Sequence, residues 1–203
     1  LYSDHDIFYR ELIKQWLDAI TKLKKLELMG EYEKPEDVEY KIQVSVTNEK
    51  TNHQDNGLGM TEEEIDKYIN QIAVSGVQDF MESTRTRQMK TDHGHFGLGF
   101  YSAFMVADKV TIDSLSYQKD AKPVHWESEG GIDYEMTEGE KAEVGTTIVL
   151  YLNEDSTEFS NEYRAREVIE KYCAFMPVSI FLENETAEPQ YDTIEKDELT
   201  EKG

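Results

Sequence analysis

The apolar positions of the chain change period as it proceeds. From Asp6 to about Met29, Ile7, Phe8, Leu12, Ile13, Trp16, Leu17, Ile20, Leu23 and Leu26 recur at helical spacing, which predicts a long amphipathic helix. Ser3 or Asp4 can cap its start and Gly30 can end it. Residues 31–40 are acidic, contain Pro35 and read as a loop. Ile42, Val44 and Val46 then alternate with polar residues, the pattern of a half-buried strand. A turn near Asn48-Glu49 leads toward a partner strand at Lys50–Gln54. Yet Thr51-Asn52-His53-Gln54 is poor material for a strand core, so the pattern is locally inconsistent there.

Thr61-x-x-Glu64 is a capping box, and Ile65, Tyr68, Ile69 and Ile72 predict about three helical turns behind it. Ser75-Gly76 breaks that helix, and Val77 to Met81 reads as a further helical turn. Residues 82–93 are polar, with Arg85, Arg87 and Lys90 close together: a solvated loop, or a lid over an anionic ligand. Phe100 to Val106 is an apolar helical stretch. Val110 to Tyr117, Val124 to Ser128, Ile132 to Met136 and Thr146 to Leu152 are strand candidates, separated by turn signals that fit an antiparallel meander. A helix over about Asn161 to Phe175, stopped by Pro177, leads to a last strand at Val178 to Leu182. These elements predict an α+β fold, a two-layer sandwich with helices on one face of a mostly antiparallel sheet.

Two glycine loops interrupt the pattern. The first, Asp55-Asn56-Gly57-Leu58-Gly59-Met60, places a carboxylate directly ahead of two glycines. The second, Gly94-His95-Phe96-Gly97-Leu98-Gly99, runs into the helical stretch at Phe100. Glycine lets a backbone come close to a ligand, and free N–H groups at a helix start attract phosphate. Together the loops suggest a pocket for a ligand with a polar ring and a phosphate tail; glycines that merely allow tight packing remain the alternative. Glu11, Gln15 and Asp18 share one face of the first helix, a solvated row unless that face lines the pocket.

Composition narrows the field. The chain has 203 residues, 38% hydrophobic, with 12 Tyr, 8 Phe and 2 Trp, enough for a substantial core. A net charge of −22 argues against nucleic-acid and anionic-membrane partners. Cys173 is the single cysteine, so no internal disulfide is possible, and a reducing compartment such as the cytoplasm is expected. No apolar run is long enough to span a membrane, and no signal peptide is recognisable. The start at Leu1, without Met, reads as a fragment. His93 and His95 lack a third ligand and read as loop histidines. No Gly-x-x-x-x-Gly-Lys-Ser/Thr or Gly-x-Ser-x-Gly motif occurs.

The motifs in order are Leu1-Tyr2-Ser3, Phe8-x-Arg10-Glu11-Leu12-Ile13 with Asp18, Asp55 to Thr61, Ile72 to Gly76, Gly94 to Ala107, and Gly145-Thr146. In this sequence and spacing the chain resembles the N-terminal ATP-binding domain of the heat-shock protein 90 chaperones, of bacterial type. The resemblance covers about residues 1–183 and leaves 184–203 as an acidic linker toward a middle domain. It implies binding of ATP or ADP with Mg2+, weak ATP hydrolysis, and nucleotide control of lid closure in a chaperone that assists protein folding under stress. Asp55 would accept a hydrogen bond from the adenine amino group, with Thr146 supporting that end. Gly57 and Gly59 would let the backbone approach the base, and Met60 would pack on the purine. Gly97, Leu98, Gly99 and Phe100 would cradle the phosphates. Glu11 would be the general base, while Gln15 and Asp18 complete the nucleotide face. The family's first strand, its arginine-bearing middle domain and its dimerisation domain lie outside the resemblance, so slow hydrolysis is expected. The implied partners are client proteins, co-chaperones and, in a parent protein, a second copy; this piece alone is expected to be monomeric.

The departures cluster around the pocket. The family's magnesium-holding Asn is Gln15 here, longer by one methylene, a reach change of about 1.5 Å, and magnesium demands near-ideal geometry. Trp16 and Leu17 replace small residues; the indole either fills nucleotide space or packs in the core. Val74 replaces a residue that is basic in many members, residues 51–54 replace an apolar strand, and 83–92 differs from the usual lid. A second reading therefore stands beside the first: a non-catalytic module whose pocket is degenerate or engineered. A third is another ATPase of the superfamily, such as a histidine-kinase catalytic domain; the second glycine loop speaks against it.

Overall fold

The computed structural model of the protein describes residues 6–70, 100–131 and 133–186. The first helix, α1 (Ile7–Leu28), forms over the predicted range. Its inward stripe of Phe8, Tyr9, Leu12, Ile13, Trp16, Ile20 and Leu23 is buried. The N–H groups of Met29 and Gly30 turn back onto the carbonyls of Lys25 and Glu27, so the helix stops where the glycine predicts. At the other end the buried Asp6 carboxylate pairs with Arg164. The proposed caps Ser3 and Asp4 lie outside the described residues.

Seven strands follow: β1 (Lys41–Val46), β2 (Lys50–Asp55), β3 (Ala107–Leu115), β4 (Val124–Glu129), β5 (Asp133–Glu138), β6 (Gly145–Leu152) and β7 (Ser179–Asn184). They make one sheet in the order β5-β4-β3-β6-β2-β1-β7. Every neighbouring pair is antiparallel except β1 with β7. The fold is α+β, with a mixed but mostly antiparallel sheet. Inward residues of β1, β3, β4 and β6 form one apolar core with α1 and with the last helix, α3 (Glu162–Cys173), while the inward Thr51, His53 and Asp55 of β2 are buried polar groups. Asn161 caps α3, its side-chain oxygen accepting from the N–H groups of Tyr163 and Arg164.

Two expectations are corrected. Strands β3 to β6 are not one meander, because β6 leaves β5 and inserts between β3 and β2. Residues 50–55 do form a full strand, central and paired on both sides, despite their polar inward residues. Behind the capping box α2 (Glu62–Ile65) passes directly into a wider π turn over Asp66–Asn70, so the helical course reaches the end of this described segment. There the buried Asn70 donates to Asp66 Oδ1 and accepts from Trp126 Nε1 at 2.9 Å, holding the chain in the wider turn. The apolar stretch from Phe100 is helical as expected: Phe100 and Tyr101 are α-helical and Ser102–Met105 form a 3-10 turn that enters β3 at Ala107. A further 3-10 segment, Glu154–Ser160, is not signalled by any periodicity. Val74, Ser75-Gly76, the candidate lid, His93, His95 and Gly94–Gly99 lie outside the described residues.

Candidate functional site

Between α1 and the sheet lies a cavity of about 540 Å³. Glu11, Gln15 and Asp18 line it from the helix; Asp55, Gly59, Met60, Phe100 and Thr146 line it from the strand ends and loops. The helix row and the first glycine loop, far apart in sequence, therefore face one space. Gly97, Leu98 and Gly99 lie outside the described residues.

The strand end is built by register. Asp55 of β2 sits opposite Thr146 of β6, which sits opposite Ser114 of β3. Ser114 Oγ accepts the Met60 N–H at 2.8 Å and lies 2.9 Å from Thr146 Oγ1. Gly57 donates its N–H to Asp55 Oδ1 at 2.8 Å. Burial pushes the Asp55 carboxyl up to about 7, against the Gly57 N–H and then the charge of Lys141. Near neutral pH this group is poised between a carboxylate that only accepts and an acid that can also donate.

Two glycines allow these strand ends to meet. At Gly145 (φ +134°) a Cβ would stand 2.2 Å from the Asp55 carbonyl oxygen. At Gly59 (φ +62°) it would stand 1.9 Å from the Leu115 carbonyl oxygen. The clearance expected at Gly59 for a base is thus taken up by the approach of the loop to β3.

The helix end is built differently. Glu11 Oε1 is 2.9 Å from Arg10 Nη2, and Asp18 Oδ2 is 2.6 Å from Lys22 Nζ. Gln15 lies half-buried between them, and Lys14 and Lys22 also line the cavity. Trp16 packs in the core and borders the cavity. It is 2% exposed and stacks on His53 at 5.1 Å, yet it also forms part of the cavity wall. His53 Nε2 lies 2.8 Å from Thr51 Oγ1, and its ring meets Tyr9 edge-on at 5.3 Å. Burial pushes the His53 imidazole down to about 3, so it is neutral at physiological pH. Among the described residues, Trp16 Nε1, His53 Nδ1 and Tyr9 Oη are buried and find no hydrogen-bond partner.

Sequence reading missed several cavity residues: Leu58, Tyr68, Ile112, Tyr117 and Ile148 on the walls, and Ser114 beneath them. Ser114 was findable. It continues the inward alternation of Val110 and Ile112, where a small hydroxyl among apolar residues marks a supported polar contact.

Residues 30–150 match the family described as histidine kinase-, DNA gyrase B-, and HSP90-like ATPase. The chain is 47% identical over 180 residues to the chaperone protein HtpG of Bacteroides fragilis, covering 89% of this chain and 26% of that protein. It is 42% identical over 182 residues to HtpG of Porphyromonas gingivalis, covering 89% and 26%. With HtpG of Borreliella burgdorferi the identity is 38% over 185 residues, covering 90% and 30%. The chain spans between a quarter and a third of the length of these relatives.

Proposed function

The chain belongs to the family of histidine kinase-, DNA gyrase B-, and HSP90-like ATPases, on its bacterial heat-shock protein 90 side, and from that premise we propose that it binds an adenine nucleotide between α1 and the sheet, as the ATP-binding module of a chaperone. The observation that carries this reading is Asp55. It is a buried carboxylate on the cavity wall, fixed by the Gly57 N–H and set opposite the Thr146–Ser114 hydroxyl pair. A fixed acceptor of this kind selects an exocyclic amino donor. The cavity volume suits a nucleotide-sized ligand, and Met60, Ile112 and Ile148 offer apolar walls for a flat ring.

From the adenine end the phosphates would run along α1 toward Phe100. Glu11 would orient the attacking water and take its proton, for in-line displacement at the γ-phosphate. That role requires its carboxylate to leave Arg10. Among the described residues no three His, Cys, Asp or Glu side chains form a metal group. Magnesium usually binds through few protein ligands plus phosphate oxygens, and the Gln15 amide oxygen fits that demand in chemical type. Gln15 would hold the ion, which supplies charge neutralisation on the phosphates. With Gln15, one methylene longer than the family's Asn, at the ion, hydrolysis would be weak. Gly97 to Gly99, which would cradle the phosphates, and the lid, whose closure nucleotide would control, lie outside the described residues.

The wider role follows the relatives' printed name, chaperone protein. Residues 1–183 act as the nucleotide domain and 184–203 as a linker, within a dimeric cytoplasmic stress chaperone that handles client proteins and co-chaperones. Among the described residues no helix is long and apolar enough to cross a membrane. The Trp16 indole on the cavity wall supports a second reading, a module that keeps the fold and has lost productive nucleotide binding. Calorimetric titration of ADP and ATP, with and without magnesium, separates the two. Saturable binding is the expected result; no heat at millimolar nucleotide would leave only the second reading.

A further inference from the structure

We propose that Lys14 of α1 is the cation that receives the phosphate tail of a ligand in this cavity, and that it makes the site favour a nucleotide over a nucleoside. The inference rests on the nucleotide reading and adds to it the side chain that meets the charge of the tail.

Helical register places the residue. Lys14 lies three residues after Glu11 and four before Asp18, so the three side chains share one stripe of α1. All three line the cavity. The rise of the helix sets Lys14 about 4.5 Å along the axis from Glu11, on the path that a tail running along α1 would take. Its side chain is exposed, so the flexible four-carbon stem can carry the ammonium to an anion in the cavity without giving up packing.

Charge pairing singles Lys14 out. The described residues that line the cavity include four acidic side chains, Glu11, Asp18, Asp55 and Glu64, against two lysines, Lys14 and Lys22. In a chain of net charge −22, an anionic tail is repelled there unless a cation meets it. Lys22 Nζ is already 2.6 Å from Asp18 Oδ2, and Arg10, outside the lining, is 2.9 Å from Glu11 Oε1. Among the described residues Lys14 joins no ion pair. A phosphate oxygen would therefore give Lys14 a partner with no existing pair broken, whereas recruiting Lys22 or Arg10 would strip Asp18 or Glu11 of theirs.

The test compares the parent chain with Lys14→Met, which keeps the apolar stem and loses the charge, and with Lys24→Met. Lys24 lies on α1 outside the cavity lining, its Nζ 5.3 Å from the centre of the Tyr40 ring, so its loss changes the net charge equally. ADP and adenosine are titrated into all three by calorimetry at low and at high salt. In Lys14→Met, ADP should bind about fivefold more weakly at low salt while adenosine binds as in the parent. The ADP loss should shrink at high salt, and Lys24→Met should bind both ligands as the parent does. Undiminished ADP affinity in Lys14→Met, equal weakening of ADP and adenosine, or the same ADP loss in Lys24→Met would overturn the proposal. A parent chain that binds neither ligand would sink the nucleotide reading instead. Inorganic pyrophosphate, titrated while following the Lys14 side-chain methylene NMR signal identified by its loss in Lys14→Met, would then decide the part played by Lys14: a saturable shift upholds the anion site, and an unmoved signal overturns it.

Discussion

At the strand end of the cavity Asp55 is 2% exposed, whereas at the helix end the side chains of Glu11 and Asp18 are 23% and 61% exposed. Asp55 is held by a backbone N–H and a three-strand register; Glu11 and Asp18 are held by flexible cations on their own helix. Exposed ion pairs contribute about 0–1 kcal/mol and break readily, while a buried polar group is expensive to leave unmade. On the proposed reading, recognition would thus rest on the rigid part of the fold. The groups that would have to move to meet phosphate and water sit where release costs little.

The comparison breaks most severely at the strand pairing itself. Gly145→Ala puts a Cβ 2.2 Å from the Asp55 carbonyl, at a positive φ. It should destabilise the fold by about 3 kcal/mol or more, read as the shift of a urea unfolding curve. A loss under about 0.5 kcal/mol would mean that β2 and β6 part easily, and the strand end would not be rigid.

A subtler break uses pH. His53 stays neutral in the fold down to about 3 but protonates near 6.5 when unfolded, so its contribution is lost as pH falls through that window. Asp55 runs the other way. It is protonated in the fold up to about 7 but ionises near 3.8 when unfolded, so its contribution is lost as pH rises through that window. Each slope approaches about 1.4 kcal/mol per pH unit, and between about pH 4 and 6 they cancel. Relative to the parent, His53→Ile should lose stability with rising pH there, and Asp55→Asn with falling pH. Parallel stability curves for all three proteins would show that neither group is buried as described.

The smallest stability effect is expected at the helix end. Glu11→Ala removes one partner of a surface pair, so unfolding stability should change by less than about 0.5 kcal/mol, while any ATP hydrolysis disappears. A phosphate-release assay that shows hydrolysis undiminished would remove Glu11 from the reaction.

The same contrast explains what the sequence made legible. The α1 stripe, its stop at Gly30, the Thr61–Glu64 box and the alternation of Ile42, Val44 and Val46 are local signals, and the structure carries them. Strand β2 was doubtful because Thr51 and His53 are polar, yet both face inward. Pairing with β1 and β6 fixes their side, and the His53 ring is covered by Trp16 and Tyr9. The place of β6 between β3 and β2 depends on partners distant in sequence, which no periodicity encodes. The π turn depends on Asn70 reaching Trp126, a contact of the same non-local kind. The row Glu11, Gln15 and Asp18 was legible as a face, but only the fold shows that it looks onto Asp55 across a cavity.

The measurement that tests the central claim most directly is calorimetric titration of ADP into the parent chain and into Asp55→Asn, each with and without magnesium. The account predicts saturable binding to the parent that weakens by about 1.5–3 kcal/mol in Asp55→Asn, because a charged hydrogen-bond acceptor is lost, whether or not magnesium is present. Equal affinity for the two proteins would contradict it, since the ligand would then be held from the helix end or not in this cavity at all.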